Sequence, residues 1–507
     1  MLRFIERRGR WIALPAGLAL AAAFAPFNIA PLTVICPALL LLLWQGASPR
    51  EAAWRGFLFT AGTFVAGTYW IYHSVHEIGQ APIAIALLLM FGMVSILGAY
   101  SAATGYLAAR FAPPTGLGRW MLLLPAAWVL VEWLRGWFLS GFPWLSLGYA
   151  HLETPLRGYA PVVGVYGVSL VAAVTAGALV TLLLGTRNER VVAGAAIVAI
   201  WGGGALLARW EWTAPRDTEL TVALVQGAVP QTMKWEPGQR ERTERLYLEL
   251  SRPHFGADLV VWPEASIPAL AGDLGDFLAG ARAEAAAGGS ALIMGLLRRD
   301  PATDAYYNAV VAWNPKRPDV EQWYDKRRLV PFGEFFPVPA VVRSWLKLMS
   351  LPYSDFQPGS PRQPPLAAAG ETLAPTICYE DAYAADQLGI VRGATLLVNV
   401  SNDAWFGDST APHQHLEISR MRALEAGRPT LRATNDGITA LIGHDGRVHD
   451  TLEQFRPGVL TGTVIPRTGL TPYLRFGNAP VLTLVLLGIC AGLAGRRKAG
   501  RQSGASS

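Results

Sequence analysis

Long apolar stretches occupy the first 210 residues and the last 30 residues of the chain. A helix that crosses a membrane needs about 20 mostly apolar residues, so the pattern predicts a polytopic membrane protein. The first two stretches are short and are joined by Ala25-Pro26-Phe27-Asn28, which is compatible with a tight hairpin. The eight predicted spans are 11–26, 29–46, 54–75, 82–109, 120–140, 161–185, 191–208 and 477–495.

The positions of the arginines predict the orientation of these spans, because cytoplasmic loops are enriched in Lys and Arg. Arginines occur before the first span, in the second, fourth and sixth connections, and in the tail, whereas the first and third connections contain neither Lys nor Arg. The fifth connection, with Arg157, is the exception. Residues 1–24 also resemble a signal peptide, but the lack of a clear small-residue cleavage site favours an uncleaved first span. We therefore expect both termini in the cytoplasm and the polar segment after the seventh span outside it.

The polar segment, residues 212–470, has the pattern of a globular domain. Its apolar runs are too short for membrane helices, and they are nearly continuous, which is typical of strands buried on both faces. Ala-rich stretches with a helical pattern lie between some of them, such as Phe277–Ala287 and His413–Ala426. Alternating strands and helices predict an α/β layered fold. The predicted strands are Leu220–Val225, Leu259–Trp262, Ala291–Leu296, Ala309–Trp313, Thr376–Cys378 and Thr395–Val400.

Composition supports this organisation and excludes several classes of protein. Hydrophobic residues make up 52% of the 507 residues and charged residues only 16%, whereas soluble chains average about 25% charged residues. A disordered protein and an ordinary cytosolic enzyme are therefore excluded. The net charge of +6 follows from the loop arginines, and no phosphate-binding loop is present, so nucleic-acid binding is not expected. Three cysteines exclude a disulfide framework.

Three segments of the globular part end an apolar run with a reactive side chain. These are Leu259-Val-Val-Trp-Pro-Glu264, Trp323-Tyr-Asp-Lys326 and Pro375-Thr-Ile-Cys378. Catalytic groups often follow strand ends in α/β sheets. A thiol becomes a nucleophile when a carboxylate takes its proton, and an ammonium group stabilises an oxyanion on the attacked carbonyl. The three residues together predict nucleophilic catalysis.

Each of these residues also has a purely structural interpretation. A buried cysteine is most often a small hydrophobic residue, and this interpretation suits Cys36 and Cys490, which lie in apolar spans. Glu264 could cap a helix, and Lys326 could be a surface charge. Cys378, however, lies in the part predicted to be outside the cytoplasm, where thiols tend to pair, and neither other cysteine is placed to reach it. This favours a functional role for Cys378.

The trio Glu264, Lys326 and Cys378 in these contexts resembles the nitrilase superfamily. The whole chain resembles the bacterial apolipoprotein N-acyltransferase family, whose members have eight membrane spans and a nitrilase-like domain before the last span. The resemblance covers nearly all of the chain. The segments that carry it, beside the trio, are Glu132-Trp-Leu-Arg-Gly136, Gly141-Phe-Pro-Trp144, Val225-Gln-Gly227, Lys234-Trp235, Leu329-Val-Pro-Phe-Gly-Glu334, Asn399-Val-Ser-Asn-Asp-Ala-Trp-Phe-Gly407 and Arg432-Ala-Thr-Asn-Asp-Gly437.

The resemblance implies a fold, a reaction and a set of site residues. It implies an αββα sandwich at 212–470, between a seven-span membrane domain at 1–211 and a final span with a cytoplasmic tail at 471–507. It implies that Cys378 carries an acyl group from a phospholipid to the α-amine of a diacylglyceryl-apolipoprotein, at the periplasmic side of the bacterial inner membrane. It also implies a monomer without a metal or other cofactor. Glu264 would be the general base, Lys326 would stabilise the oxyanion, and Glu334, Trp235, Tyr379 and Glu380 would support the site.

Three further features carry weaker expectations. Residues 332–357 are rich in Pro and aromatic residues and could form an interfacial helix or lid, with Trp345 and Leu346 on its apolar face; a helix packed on the domain body is an equal alternative. Glu132 and Arg135, at the edge of a span, could pair one turn apart or mark an interfacial segment, and anchoring is favoured over substrate contact. The third feature combines His413 and His415 with Asp403; their spacing matches no strong zinc pattern, so a metal site is not expected.

Two other functions compete with acyl transfer. A membrane-tethered amidase of the nitrilase type would use the same trio, with water as the acceptor, on a small periplasmic substrate. Seven preceding spans exceed what a tether needs, which favours a substrate within the membrane. A transporter with a sensor domain would be expected to have ionisable residues along its pathway, and these spans contain few.

Overall fold

The computed structural model describes residues 2–335 and 356–504. Its contacts divide the chain into two compact units. The first unit comprises Met1–Tyr72, Pro82–Trp210 and Phe476–Ser507, and the second comprises His73–Ala81 and Glu211–Arg475.

The first unit is built of helices, and each predicted span overlaps one of them. Within the described residues, three helical segments are long and apolar enough to cross a membrane, namely Ile83–Phe111, Pro155–Leu184 and Arg187–Leu207. Two shorter apolar helices lie at Leu32–Leu43 and Ala479–Ala494. By length and composition the expectation of eight spans is therefore supported only in part. The helices before residue 211, together with the last helix of the chain, are α1 Leu2–Ala21, α2 Leu32–Leu43, α3 Pro49–Gly67, α4 Trp70–His73, α5 Ile83–Phe111, α6 Leu124–Arg135, α7 Ala160–Leu184, α8 Arg187–Leu207 and α14 Ala479–Gly504. Two π-helical turns lie at Ser74–Ile78 and Gly118–Leu123.

Glycines allow helices α3 and α5 to pack closely. A Cβ atom added at Gly56 would lie 2.4 Å from the Ser101 carbonyl oxygen, and one added at Gly105 would lie 2.5 Å from that of Ala52. Small residues at such contacts let helix backbones approach each other, which is the usual way that helices associate in a membrane.

Glu132 and Arg135 are both buried at the end of α6. The Glu132 carboxylate accepts hydrogen bonds from Trp128 Nε1 (2.9 Å) and from the backbone N–H of Leu147 (3.0 Å). The Arg135 guanidinium donates to the Phe142 carbonyl (3.2 Å) and to Ser146 Oγ (3.1 Å). Both side chains thus hold the segment after α6 against the helix, which agrees with an anchoring role.

The second unit contains two six-stranded sheets. The first sheet has the order β13-β2-β3-β4-β5-β6, and the second has the order β12-β11-β10-β9-β8-β7. The central pairs β2–β3, β3–β4, β8–β9 and β9–β10 are parallel and the outer pairs antiparallel. The strands are β1 Ala214–Pro215, β2 Leu220–Gln226, β3 Leu259–Val261, β4 Ala291–Arg299, β5 Tyr306–Asn314, β6 Arg317–Asp325, β7 Leu366–Ala368, β8 Glu371–Ile377, β9 Leu396–Ser401, β10 Thr430–Thr434, β11 Ala440–Ile442, β12 Val448–Thr451, β13 Gly458–Val464 and β14 Arg467–Thr468, of which β1 and β14 form a separate pair.

The inner faces of the two sheets share one hydrophobic core, and helices cover the outer faces. Val222 and Val261 of the first sheet pack in the same buried cluster as Val398 and Leu431 of the second. The alternate residues of the first sheet form a separate cluster with its outer helices. The result is the expected αββα sandwich. Its helices are α9 Gln239–Ser251, α10 Gly275–Ala287, α11 Ala384–Val391, α12 Ala411–Ala426 and the short α13 Pro472–Phe476.

The predicted elements of this unit are confirmed, with shifted ends. All six predicted strands overlap observed strands, and the two predicted helices correspond to α10 and α12. Helix α12 begins after Thr410, whose side chain makes no capping bond, while Ser409 Oγ accepts from the Ala411 N–H at 3.3 Å. Of the segment 332–357, residues 336–355 lie outside the described residues, so the expected lid helix with Trp345 and Leu346 stays a prediction.

Candidate active site

Glu264 lies just after strand β3, in a backbone that packs tightly on strand β4. A Cβ atom at Gly295 would lie 2.4 Å from the Pro263 carbonyl oxygen and 2.6 Å from Glu264 Cα, so only glycine permits this approach. The next residue, Ala265, has φ +44°, a left-handed conformation. Ser266 secures the turn, since its N–H and its hydroxyl both donate to the Gly295 carbonyl at 2.9 Å. The Glu264 carboxylate is therefore fixed in place.

Lys326 follows strand β6 and forms ion pairs with two carboxylates. Its Nζ lies 3.0 Å from Glu264 Oε1 and 2.9 Å from Glu334 Oε1, and the side chain is 1% exposed. Its backbone N–H donates to the Asn308 carbonyl at 2.8 Å, which continues the pairing of β5 with β6 to this point. Desolvating an ammonium is costly unless it is paired and hydrogen-bonded, and the two carboxylates meet that requirement.

Cys378 follows strand β8 in a strained backbone conformation. Its φ is +52°, in the left-handed region, which costs a non-glycine residue of order 1–3 kcal/mol. The residue is 7% exposed and opens a short 3-10 helix, Cys378–Ala382. Such a turn after a strand is a means of presenting a nucleophilic side chain away from the sheet. The neighbouring parallel strands β8 and β9 bring Ser401 and Asp403 to the same edge.

The charges of Glu264 and Lys326 act on the Cys378 thiol. Burial, with the carboxylates of Glu264 and Asp403, raises the pKa of Cys378 well above its usual value, while Lys326 acts in the opposite direction. Burial alone would lower the pKa of Lys326, but Glu264 and Glu334 outweigh it and hold this pKa well above its usual value. At neutral pH the resting site thus holds a thiol, not a thiolate, beside an ammonium. The thiol needs a base, and Glu264 is the carboxylate whose charge acts most strongly on it.

Two asparagines that the sequence did not single out complete the carboxylate site. Asn308 Nδ2, on β5, donates to Glu264 Oε1 at 2.7 Å and to Glu334 Oε1 at 2.8 Å. The Asn402 backbone N–H donates to Glu264 Oε2 at 2.8 Å. The Val330 N–H donates to Glu334 Oε2 at 2.8 Å. Asn308 directly precedes the apolar run Ala309–Trp313, and that position was the available signal, because a buried amide needs partners.

Glu380 connects the segments that carry Lys326 and Cys378. Its buried carboxylate accepts from the Ile377 N–H at 2.8 Å, from the Arg327 N–H at 2.7 Å and from the Tyr324 hydroxyl at 3.1 Å. Burial raises the pKa of Glu380 despite these donors. The expected supporting role of Glu380 corresponds, in the structure, to a bond between the ends of β6 and β8.

The other two expected supporting residues differ in exposure. Trp235 is 56% exposed, on the loop after β2, and its neighbour Lys234 is buried at 1% exposure. Burial lowers the pKa of Lys234 to about 8, against the opposing charges of Glu264 and Asp436. Tyr379 packs on the core beside Cys378 and makes an edge contact with the Tyr383 ring, with centroids 5.1 Å apart. Trp235 is thus available for contact with a large substrate.

His415 and Asp403 do meet, but in a hydrogen-bonded cluster below Cys378. Cys378 Sγ, a ring nitrogen of His415 and an oxygen of Asp403 lie within 4.8 Å of one another. His415 Nδ1 already faces Asp403 Oδ1 at 3.0 Å, and Nε2 faces Asp381 Oδ1 at 3.0 Å and the Cys378 carbonyl at 3.1 Å. Because both ring nitrogens are engaged, the donor set is better suited to an internal network than to a metal.

Family models match both the helical part and the sandwich part of the chain. The family model described as "Apolipoprotein N-acyltransferase N-terminal domain" matches residues 16–178, and that described as "Carbon-nitrogen hydrolase" matches residues 221–473. A relative named apolipoprotein N-acyltransferase from Methylococcus capsulatus is 42% identical over 98% of this chain and 97% of its own. One of the same name from Chromobacterium violaceum is 41% identical over 94% of this chain and 92% of its own.

Among solved structures, an amidase from Nesterenkonia sp. aligns with a TM-score of 0.38 and 20% identity, covering 52% of this chain and 96% of that amidase. The two relatives and the two family models, which together span the membrane-type helices and the sandwich, assign the family. The chain belongs to the apolipoprotein N-acyltransferase family.

Proposed function

We propose that this chain N-acylates the S-diacylglyceryl-cysteine at the N-terminus of apolipoproteins, with a phospholipid as the acyl donor. Family membership supports the reaction class. The observation that carries the proposal is the convergence of Glu264, Lys326 and Cys378, which come from the ends of three strands. These are a base, a cation and a nucleophile, which acyl transfer requires.

In the first half-reaction, Glu264 accepts the thiol proton while Cys378 Sγ attacks the carbonyl carbon of the sn-1 ester. The negative charge that develops on the carbonyl oxygen is stabilised by the Lys326 ammonium. The ester C–O bond then breaks, the glycerol oxygen takes the proton from Glu264, and a lysophospholipid leaves. A thioester on Cys378 remains. No external energy source is needed, because the acyl group passes from one ester to another and ends in the more stable amide.

In the second half-reaction, the α-amine of the acceptor attacks the thioester carbonyl. Glu264 accepts a proton from the amine, the C–S bond breaks, and the proton returns to the Cys378 sulfur. An amide has formed and the thiol is restored. Glu334 also pairs with Lys326, so that the ammonium keeps one carboxylate partner when Glu264 is protonated. Trp235 and Tyr379 would contact the lipid portions, and Glu380 would keep Lys326 and Cys378 in register.

We further propose the membrane arrangement that this reaction needs. Residues 1–211 form a seven-span membrane domain, residues 212–470 the periplasmic catalytic domain, and residues 471–507 the eighth span and a cytoplasmic tail. The protein resides in the bacterial inner membrane with both termini in the cytoplasm and functions as a monomer. The arginine distribution and the apolar helices support this arrangement.

The mechanism is tested by trapping the acyl-enzyme. Purified protein is incubated with phospholipid while the acceptor is withheld, and the peptide that contains Cys378 is weighed. We expect an added acyl mass and an equal amount of lysophospholipid, both absent in Cys378→Ser. Adding a diacylglyceryl lipopeptide should discharge the adduct and yield an N-acylated peptide. An unmodified Cys378 peptide would contradict the mechanism, and ammonia release from a small amide without lipid turnover would instead indicate an amidase.

A further inference from the structure

A buried ionic cluster lies directly beneath the proposed nucleophile and takes no part in the steps above. His415, on helix α12, faces Asp403 through Nδ1 and Asp381 through Nε2, both at 3.0 Å. Arg432 NH2, on β10, donates to Asp403 Oδ2 at 2.8 Å. All four side chains are at most 3% exposed. The cluster therefore draws on four elements, since Asp381 lies in the 3-10 helix Cys378–Ala382 and Asp403 in the 3-10 helix Asp403–Trp405, and it is shielded from solvent.

The cluster acts on Cys378 in two ways. His415 Nε2 lies 3.1 Å from the Cys378 carbonyl oxygen, and this contact holds the residue whose backbone is strained at φ +52°. A carboxylate oxygen of Asp403 and a ring nitrogen of His415 each lie within 4.8 Å of Cys378 Sγ. A negative charge so close to the sulfur opposes thiolate formation, and a positive charge favours it.

The charge of the cluster depends on the protonation of His415. Burial and Arg432 lower the pKa of His415, but Asp381 and Asp403 outweigh them and raise it to about 9. With His415 protonated, two cations balance two carboxylates, and the cluster is neutral. With His415 neutral, the cluster has a net charge of −1 beneath the sulfur.

We propose that His415 is a positioning residue for Cys378: as an imidazolium between Asp381 and Asp403, it holds the Cys378 carbonyl and offsets the carboxylate charge beneath the thiol. This inference rests on the proposed role of Cys378 as the nucleophile. It assigns a second cation to the site. This cation lies in the buried cluster beneath Cys378, whereas Lys326 pairs with Glu264.

The test measures the thiol directly and needs no acyl transfer. In a Cys36→Ala/Cys490→Ala background, Cys378 is the only thiol, and its alkylation by iodoacetamide is followed from pH 6 to pH 10.5. Besides His415, the charged groups that act on the sulfur are Glu264, Lys326 and Asp403, and those that face His415 are Asp381, Asp403 and Arg432. Substitution of His415 or Asp381 leaves Glu264, Lys326 and Asp403 in place.

At pH 8, where His415 is protonated, we expect His415→Gln to slow alkylation by about 10- to 100-fold, because one positive charge near the sulfur is lost and the thiolate fraction falls. The double variant His415→Gln/Asp381→Asn restores neutrality and should return the rate to within about twofold of the parent. His413→Gln, on the same helix but outside the cluster, is the matched control and should leave the rate unchanged. A merely structural role would lower yield or stability without this change in rate and without rescue by a second charge change.

If His415→Gln does not fold, the comparison is made between Asp381→Asn and the double variant, where removal of the His415 charge should again slow alkylation at pH 8. Coincident pH profiles in the pair that folds would overturn the proposal. The acyl-trapping experiment is run on the parent in parallel. If no adduct is trapped on the parent but the cluster variants alter alkylation as expected, the proposed function is contradicted. If the adduct is trapped but the variants leave alkylation unaltered, only the role of His415 is contradicted.

Discussion

Glu264 both raises the pKa of Cys378 and is the base that the thiol needs, so its removal should have opposite effects on two reactions. In Glu264→Gln, one carboxylate charge beside the sulfur is lost, and the pKa of Cys378 should fall. Alkylation of the thiol near pH 7 should therefore become faster, about tenfold for each unit of pKa change. Thioester formation should nevertheless fall by about 10²–10⁴-fold, because the general base is absent.

The matched control for Glu264→Gln is Glu284→Gln, a surface carboxylate that pairs with Arg252. It should change neither reaction. Both rates are measured on one preparation, by iodoacetamide labelling and by mass analysis of the acylated peptide. Slower alkylation in Glu264→Gln than in the parent would contradict the charge arrangement described for the site.

Asn308 provides a second test at the residue scale, because one amide group serves two carboxylates. In Asn308→Leu, Lys326 would remain as the described side chain that contacts both Glu264 and Glu334. Loss of a hydrogen bond to a charged group costs about 1.5–3 kcal/mol, so the acylation rate should fall about 10- to 100-fold. Asn314→Leu is the matched control, since Asn314 lies on the same strand and its amide donates to the Ala367 carbonyl. An equal loss of acylation rate in Asn314→Leu would contradict the role assigned to Asn308.

The sequence allowed the trio to be predicted, but not its environment. Glu264, Lys326 and Cys378 each follow an apolar run, a position that can be recognised along the chain. Asn308 lies within a strand, and its partners are 44 and 26 residues away, so the spacing alone gives no sign of the contact. The sequence suggested no role for His415 and Asp403 beyond a metal site that was not expected. The structure reveals that carboxylates engage both nitrogens of the imidazole.

At the scale of elements, Glu380 joins the ends of β6 and β8, and so sets the distance between Lys326 and Cys378. In Glu380→Gln, one oxygen becomes an NH2 group that opposes the backbone donor of either Ile377 or Arg327, since each of these N–H groups bonds to a different oxygen. Such a mismatch leaves buried donors unpaired, at a cost of about 1–3 kcal/mol each. We expect the thermal midpoint of the detergent-solubilised protein to fall by about 4–10 °C and thioester formation to fall with it.

The control for Glu380→Gln is Glu453→Gln, whose carboxylate pairs with Arg456 at the surface. Midpoints are measured by intrinsic tryptophan fluorescence. A normal midpoint with lost activity in Glu380→Gln would mean that this carboxylate takes part in the chemistry rather than in alignment.

The strands that the sequence predicted and those that it missed differ in their pattern of burial. Strands β2, β4 and β9 are buried along nearly their whole length and appear as continuous apolar runs. Strand β12 is a mostly exposed edge strand of sequence Val-His-Asp-Thr, and edge strands need no apolar face. Strand β10 is fully buried yet contains Arg432, whose charge is neutralised by distant carboxylates. Tertiary partners, not local pattern, stabilise these two strands.

At the scale of the whole molecule, the proposed reaction depends on which side of the membrane contains the sandwich. Only three helical segments of the described residues qualify as spans by length and composition, so topology depends chiefly on the arginines. Arg496, Arg497 and Lys498 follow the last apolar stretch, and the positive-inside rule assigns them to the cytoplasm. With one proposed span between the tail and the sandwich, we expect the sandwich on the opposite side, in the periplasm.

This topology is tested with single cysteines in a Cys36→Ala/Cys378→Ser/Cys490→Ala background. Asp276→Cys places a thiol in α10 of the sandwich, and Ala499→Cys places one in the basic tail. In cells with a permeable outer membrane, a charged maleimide that cannot cross the inner membrane should label Asp276→Cys within minutes and Ala499→Cys only after lysis. Labelling of both cysteines before lysis would mean that an even number of membrane crossings separates them. Labelling of the tail alone would mean that the protein has the opposite orientation in the membrane. A catalytic domain on the cytoplasmic side would lack access to acceptors presented at the outer leaflet, and the proposed acyl transfer would then be wrong.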